Sequence, residues 1–463
     1  MNDARKTTPN DEIWWTQFDD PALNRLMDSV FAENLSIEQA MARLDRAHAT
    51  YIGARSTIFP SLSAKAAIQD GDYIDKDKAA LLPPGAGFSI SRYEVGLTAA
   101  YELDIYGKLS AARGAAKADF LASKEDIKSL VITMSAQTAE LYFAIVDLSL
   151  QLELTDNISS AYEDNLSIVN GKYARGVSPS LDVYQAQANL ASAKARRTQL
   201  DSQLSALKHS LALLVGQYPD LATADRYLSM NSKTDDSQQS IVQWISDGGD
   251  VPPMLAELNA GLPSDLVQRR PDVRAAYLRV EAADKRWAQA MLNRLPSFSL
   301  TGNVGGSNDD LKEAINPENM IWTAIGNLAM PIFQGGRLKA SSDAAEASLR
   351  ESMAGYKAKL LTSFKEVEDA LVAGQNQTEY VSEIERQVSS SLNSLKAAND
   401  RYLRGLTSYL QVVTAQARYF NARSSLISAR RELVNTRIAL ATALGGGWSN
   451  DMVEQLSARE NND

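Results

Sequence analysis

A stretch of this chain recurs, without a gap, 229 residues further on. Tyr173-Ala-Arg175-Gly176 leads through Leu181 and Val183 to Ala186-Gln187-Ala188. Tyr402-Leu-Arg404-Gly405 leads through Leu410 and Val412 to Ala415-Gln416-Ala417. The same offset pairs Gly107 with Gly336 upstream and Gly216 with Gly445 downstream. A match of this length is a structural duplication, so the fold is two copies of one supersecondary unit.

Composition removes several function classes. Cysteine is absent, which excludes disulfides, thiolate metal sites and cysteine nucleophiles. Only His48 and His209 could offer imidazole. A net charge of −10 is unfavourable for a general nucleic-acid binder. At 463 residues the chain exceeds one ordinary core, so several domains or an elongated object are expected. No run approaches 18 consecutive apolar residues, and no membrane-spanning helix is expected. Met1-Asn-Asp-Ala-Arg-Lys lacks the apolar run of a secretion signal, as expected of a cytosolic chain or of a mature, processed one.

Within each copy the hydrophobic period identifies the elements. Ile127, Val131, Met134, Thr138, Leu141, Ile145, Leu148 and Leu152 keep a 4-3 spacing, continued by Tyr162, Leu166, Val169 and Tyr173. Tyr356, Leu360, Val367, Val381, Ile384, Val388 and Leu395 repeat it in the twin. A 3.5-residue period holds a seam against a neighbour only when helices supercoil. Many Ala and Ser positions allow close packing on two sides. Gly176 and Gly405 suit the left-handed residue that ends a helix, and return helices follow to Gly216 and Gly445. Shorter helices are expected over 35–58 and after Arg270-Pro271.

Elsewhere the period changes to 2. Leu62, Ala64, Ala66 and Ile68 alternate with polar neighbours, as do Tyr93, Val95, Leu97, Ala99, Tyr101 and Leu103, and then Phe298, Leu300, Gly302 and Val304. Such strands are apolar on one face only. About ten residues suffices for a tilted strand to cross a bilayer. Phe59, Phe88, Tyr101, Trp322 and Phe333 lie near strand ends, as an interfacial belt requires. Four strands cannot close a barrel, but several copies of the chain can, and lipid tolerates no open edge.

The division expected is an N-terminal equatorial segment (1–34), a helix (35–58), a first hairpin (59–106), and a long helix, turn and return helix (107–216). A second equatorial segment (217–262), helix (263–294), hairpin (295–335) and helical pair (336–445) follow, then a tail (446–463).

No nucleophile elbow, phosphate loop or dinucleotide fingerprint occurs in a strand-to-helix setting, and no enzyme, cofactor or metal site is expected. Glu102 and Asp104 would share one strand face roughly 7 Å apart, which suits polar residues lining a lumen better than an acid–base pair. Polar residues gather around the two helical turns: Arg175, Asp182, Arg404, Tyr409 and Arg418, with Leu410 and Thr414 beside them. They either cap helix ends or hold a closed end through weak, reversible contacts of about 0–1 kcal/mol.

Gly261-Leu-Pro-Ser-Asp265-Leu-Val-Gln-Arg269-Arg270-Pro271-Asp272-Val273-Arg274 resembles a signature of the TolC-like outer membrane efflux factors, in the branch with OprM and the NodT lipoproteins. Tyr101-Glu102-Leu103-Asp104-Ile-Tyr-Gly107, Leu295-Pro296-Ser297-Phe298 and Pro331-Ile332-Phe333-Gln-Gly335-Gly336-Arg337-Leu338 resemble further motifs of that branch. The resemblance implies a mainly α chain with a membrane β-barrel. Three copies would form a homotrimeric 12-stranded outer-membrane barrel in lipid, continuous with a long periplasmic α-helical barrel. It also implies a gate at Arg175, Asp182, Arg404, Tyr409, Leu410, Thr414 and Arg418. A periplasmic adaptor would dock at Gly176, Val177, Ser178, Gly405, Leu406 and Thr407, with an inner-membrane pump of the resistance-nodulation-division type as the second partner. Such a duct exports drugs, toxic small molecules or metal ions. Two departures stand out: the branch often begins with a lipidated cysteine, absent here, and often carries an acidic residue where this chain has Thr414. Type I protein secretion and a soluble coiled-coil scaffold are the alternatives.

Overall fold

Each half of the duplication supplies two strands to a single sheet. The computed structural model describes residues 13–73, 88–228, 241–247 and 269–446. The proline-rich turn at 82–85, the motif residues 261–268, the tail beyond 446 and parts of the expected equatorial segments lie outside these.

The elements are α1 (Pro21–Glu33), α2 (Leu35–Ser56), β1 (Ser61–Tyr73), β2 (Phe88–Leu103), α3 (Lys108–Ala174) and α4 (Ser180–Val215). Then follow α5 (Leu221–Leu228), α6 (Ile241–Asp247), α7 (Pro271–Leu292), β3 (Ser297–Asn308), the one-turn α8 (Leu311–Ala314), β4 (Ile321–Ala329), α9 (Arg337–Leu403) and α10 (Tyr409–Ala443). The chain divides into two compact units, one of Met1–Ala42, Glu125–Arg274 and Ala358–Asp463, the other of Arg43–Lys124 and Ala275–Lys357.

The second unit holds the sheet, antiparallel in the order β1-β2-β3-β4. The central pairing, Tyr93↔Asn308 through Leu103↔Phe298, joins the hairpin of one repeat to that of the other. The strands span 13, 16, 12 and 9 residues, so β2 is longer than the ten expected. Leu62, Ile68, Leu97, Leu300, Val304, Trp322 and Leu328 stand exposed along one face. The opposite face carries Lys65 paired with Glu94 at 3.0 Å and Arg92 donating to Ser307 Oγ at 2.8 Å. Gly305 is required because a Cβ there would lie 2.4 Å from the Val95 carbonyl oxygen.

Glu102 and Asp104 do not form a shared strand face. β2 ends at Leu103, and Asp104 turns back to accept from the amides of Leu109 at 2.9 Å and Ser110 at 2.8 Å. Free amides at a helix start demand such an acceptor. Glu102 pairs instead with Lys108.

The first unit is helical. The expected seam on α3 is buried at Ile127, Val131, Met134, Thr138, Ile145, Tyr162 and Val169, but Tyr173 is exposed. Asp147, Gln151 and Thr155 are buried as well, outside that seam. The reason is that α3 packs against more than one helix, with Gln151 bonded to Ser424 of α10 and Asp156 paired with Arg197 of α4, and so buries more than one stripe. Contrary to the composition-based expectation, one window of α3 is long and apolar enough to cross a membrane (mean hydropathy 1.3), and 44 % of it is buried within the protein.

Candidate functional site

The two helical turns close with the same backbone chemistry. Gly176 sits at φ 70° and Gly405 at φ 74°, the left-handed region where a Cβ is costly. Val177 N–H donates to the Lys172 carbonyl at 2.9 Å and Leu406 N–H to that of Arg401 at 2.8 Å. Gly176 N–H reaches Tyr173 and Gly405 N–H reaches Tyr402. Each pair satisfies the last carbonyls of a long helix. Gly216 and Gly445 end the return helices alike, at φ 87° and 95°.

Side chains at the turns do not follow the duplication. Tyr409 occupies the position matched by Ser180 in the first copy. It is 1 % exposed and packs with Val169, Ala186 and Val412, enclosed by Leu166, Val183, Ala398, Tyr402 and Val413. Elements α3, α4, α9 and α10 all contribute to this cluster. The rings of Tyr402 and Tyr409 lie 5.7 Å apart, and Lys172 Nζ stands 3.6 Å from the Tyr402 ring centroid. Burial, reinforced by Tyr402, Tyr162 and Asp182, pushes the Tyr409 hydroxyl up to about 12, so it stays neutral. Its oxygen is buried without a hydrogen-bond partner among the described residues.

The remaining candidates are placed differently. Asp182 is half-buried and accepts from Ser178 Oγ at 2.6 Å, closing the first turn locally. Arg175, Arg404 and Arg418 are exposed, and among the described residues no ion pair engages them. Thr414 is exposed and returns its hydroxyl to the Leu410 carbonyl at 2.8 Å. Gly176, Val177, Gly405 and Leu406 are exposed at the turns, with Ser178 and Thr407 half-buried. Within one chain, apolar packing around Tyr409 holds this end, rather than a charged network.

Above the turns, α3 and α10 run antiparallel along a polar seam that the heptad reading did not single out. Asn165 Nδ2 donates to Gln416 Oε1 at 2.9 Å, and the Tyr162 and Phe420 rings meet edge-on at 5.9 Å. Further up, Gln151 Nε2 donates to the Ser424 carbonyl at 2.9 Å while Ser424 Oγ donates to Gln151 Oε1 at 2.7 Å. Ser428 Oγ reaches Asp147, whose other oxygen faces Arg431 at 3.6 Å. Burial pushes the Asp147 carboxyl up against that guanidinium. The available signal was the four-residue spacing of Asp147, Gln151 and Thr155.

Arg270 anchors a second cluster. It grips Asp272 through Nε at 3.1 Å and Nη2 at 2.8 Å, pairs with Glu366 at 2.6 Å and donates to the Ala443 carbonyl at 3.0 Å. Lys359 joins Asp272 at 2.7 Å. These groups border a cavity of about 550 Å³. Their charges are spent on one another, so the cluster is a joint rather than a reactive centre.

Residues 26–217 and 262–446 match the family described as Outer membrane efflux protein. The chain belongs to that family. It is 30 % identical over 433 residues to the solvent efflux pump outer membrane protein SrpC of Pseudomonas putida, covering 93 % of this chain and 87 % of SrpC. It is 28 % identical over 435 residues to the cation efflux system protein CusC of Escherichia coli, covering 94 % and 88 %. The solved outer membrane protein VceC of Vibrio cholerae superimposes with a TM-score of 0.81 at 25 % identity, covering 94 % of this chain and 99 % of that one. This efflux protein therefore resides in the outer membrane and extends into the periplasm as the exit duct of an efflux pump. Its fold is that of the TolC-like channels, helical with a barrel-forming sheet.

Proposed function

We propose that three copies of this outer membrane efflux protein close a 12-stranded barrel. The tunnel is opened at the Gly176 and Gly405 turns by a periplasmic adaptor and an inner-membrane pump of the resistance-nodulation-division type. One observation carries the reading. The sheet exposes an apolar face and leaves β1 and β4 each paired on one side only. Lipid accommodates that face but not unpaired backbone, so β4 of one copy must meet β1 of the next. Four strands per chain make three copies sufficient for a barrel wide enough to hold a channel.

The cargo is a toxic small molecule or a metal ion, as the relatives named for solvents and for cations suggest. The duct performs no chemistry, and its residues shape a passage. Purification in detergent should yield a heat-resistant trimer by native mass spectrometry and stepwise conductance in planar bilayers. A monomer that stays soluble without detergent and never conducts would instead favour the scaffold reading. Co-purification with an ATP-driven exporter in place of a proton-driven pump would shift the assignment to protein secretion.

A further inference from the structure

The α3–α10 seam changes character along its length. At one level it is a set of directional bonds: Gln151 exchanges two hydrogen bonds with Ser424, and its amide nitrogen also lies 3.3 Å from Ser428 Oγ. Asp147 adds Ser428 and Arg431. Gln151 is 6 % exposed and Asp147 9 %, so separating the helices there would strand buried polar groups in a dry seam. Toward the turns the directional links thin to the single Asn165–Gln416 bond, followed by rings and the Val169–Tyr409–Val412 cluster. Apolar side chains exchange neighbours without leaving donors unpaired, and this level is the easier one to part.

The duplication supplies an independent observation. In the 229-residue alignment Asp147, Gln151, Ser424, Ser428 and Arg431 are matched by Asn376, Tyr380, Ala195, Gln199 and Ser202. The pairing of α3 with α10 therefore carries a polar ladder whose residues are not repeated at the counterpart positions on α9 and α4. Tyr380 is half exposed in the chain.

The geometry points to a pivot: the Asp147–Gln151–Ser424–Ser428–Arg431 ladder keeps α3 and α10 in register while the helices beyond Tyr162 and Phe420 swing apart to open the duct. This rests on the proposed duct function. The arm from Gln151 to Val169 is about 27 Å at 1.5 Å per residue, and a tilt of about 15° would move its end by about 7 Å. A displacement of that size exceeds the reach of a single hydrogen bond and suffices to break up the Tyr409 cluster. The ladder's residues occur in only one of the two copies, which makes the pivot one-sided within each chain.

The chain has no native cysteine, so disulfide pairs can be placed without background. Two trimers are compared in planar bilayers before and after reduction: Gln151→Cys with Ser424→Cys across the ladder, and Asn165→Cys with Gln416→Cys below it. The expected result is that the oxidised ladder pair conducts within about twofold of its reduced form, while the oxidised lower pair loses at least tenfold. A tenfold loss from the ladder cross-link would overturn the pivot. Trimers that never conduct, reduced or wild type, would sink the duct reading instead. Hydrogen exchange on the wild-type trimer tests the pivot without any variant. Amides over 147–155 should exchange at least tenfold more slowly than those over 162–172, and a flat profile would refute the pivot.

Discussion

The guanidinium of Arg270 donates to the carbonyl of Ala443, 173 residues away, at 3.0 Å. That bond ties the start of α7 to the last turn of α10, where a helix leaves carbonyls without intrahelical donors and favours a cation. Asp272 orients the guanidinium, and Lys359 and Glu366 join from α9. The described part of the Arg-Arg-Pro-Asp motif is therefore a joint within the second repeat, between α7, α9 and α10.

Burial opposes charge on Asp272, yet hydrogen bonds from Arg270 and Lys359 and their charges outweigh it and hold the carboxyl at about 2 against an ordinary 3.8. A lowered folded value means stability present above the unfolded pKa and lost as pH falls through the folded one. The group contributes roughly 2 kcal/mol, fully present above pH ~4 and lost between about 4 and 2. Asp272→Asn should flatten thermal denaturation of the detergent-solubilised protein over that window, and an unchanged acid limb would count against the joint.

Arg270→Ala should be more damaging, costing about 3–5 kcal/mol, because Glu366 and the Ala443 carbonyl then lose their partner and Asp272 keeps only Lys359. Loss of the heat-resistant species on unboiled gels is the readout.

Two substitutions at Tyr409 separate packing from hydrogen bonding. Tyr409→Phe removes a hydroxyl without a partner and should leave stability within about 0.5 kcal/mol. Tyr409→Ala empties the centre of the cluster, costs about 3 kcal/mol locally and should raise conductance severalfold. Equal behaviour of the two variants would place the closed state elsewhere.

Glycines at equivalent backbone angles should respond unequally. A Cβ at Gly176 meets open space, so Gly176→Ala costs only the left-handed penalty of about 1–2 kcal/mol. At Gly216 the Cβ would lie 2.3 Å from the Glu33 carbonyl oxygen, adding overlap with fixed backbone that raises the loss to several kcal/mol. Thermal midpoints of the two variants measure the difference.

Removing the acceptor at the start of α3 tests the reassignment of Asp104. Asp104→Ala leaves the Leu109 and Ser110 amides without their carboxylate and should cost about 1–2 kcal/mol. Conductance and ion selectivity should not change, whereas a lumen-lining carboxylate would alter selectivity.

Periodicity and glycine spacing carried most of the architecture. A period of 2 at Tyr93–Leu103 and Phe298–Val304, a period of 3.5 along α3 and α9, and positive-φ glycines at fixed offsets are local properties, written wherever one chain segment decides its own geometry. The offset of 229 residues then dictates two copies of the same unit. Charged residues at the turns read as a network, yet Arg175, Arg404 and Arg418 are exposed, and Tyr409 holds the end by packing. Polarity along a strand likewise suggested a shared face for Glu102 and Asp104, while the chain turns after Leu103 and uses Asp104 as a cap.

What the tertiary structure alone decided is which helices meet. Within α3 Gln151 reaches Asp147 at 3.4 Å, but the bonds from Gln151 to Ser424 cannot be read from one helix, because hydrogen bonds across a seam depend on the register of segments some 270 residues apart. The two-copy plan, the strands and the turns follow from local geometry, but the difference between the copies follows from contact. Tyr409 in place of Ser180, and a polar ladder in place of Asn376 and Tyr380, acquire meaning only once α3 lies against α10.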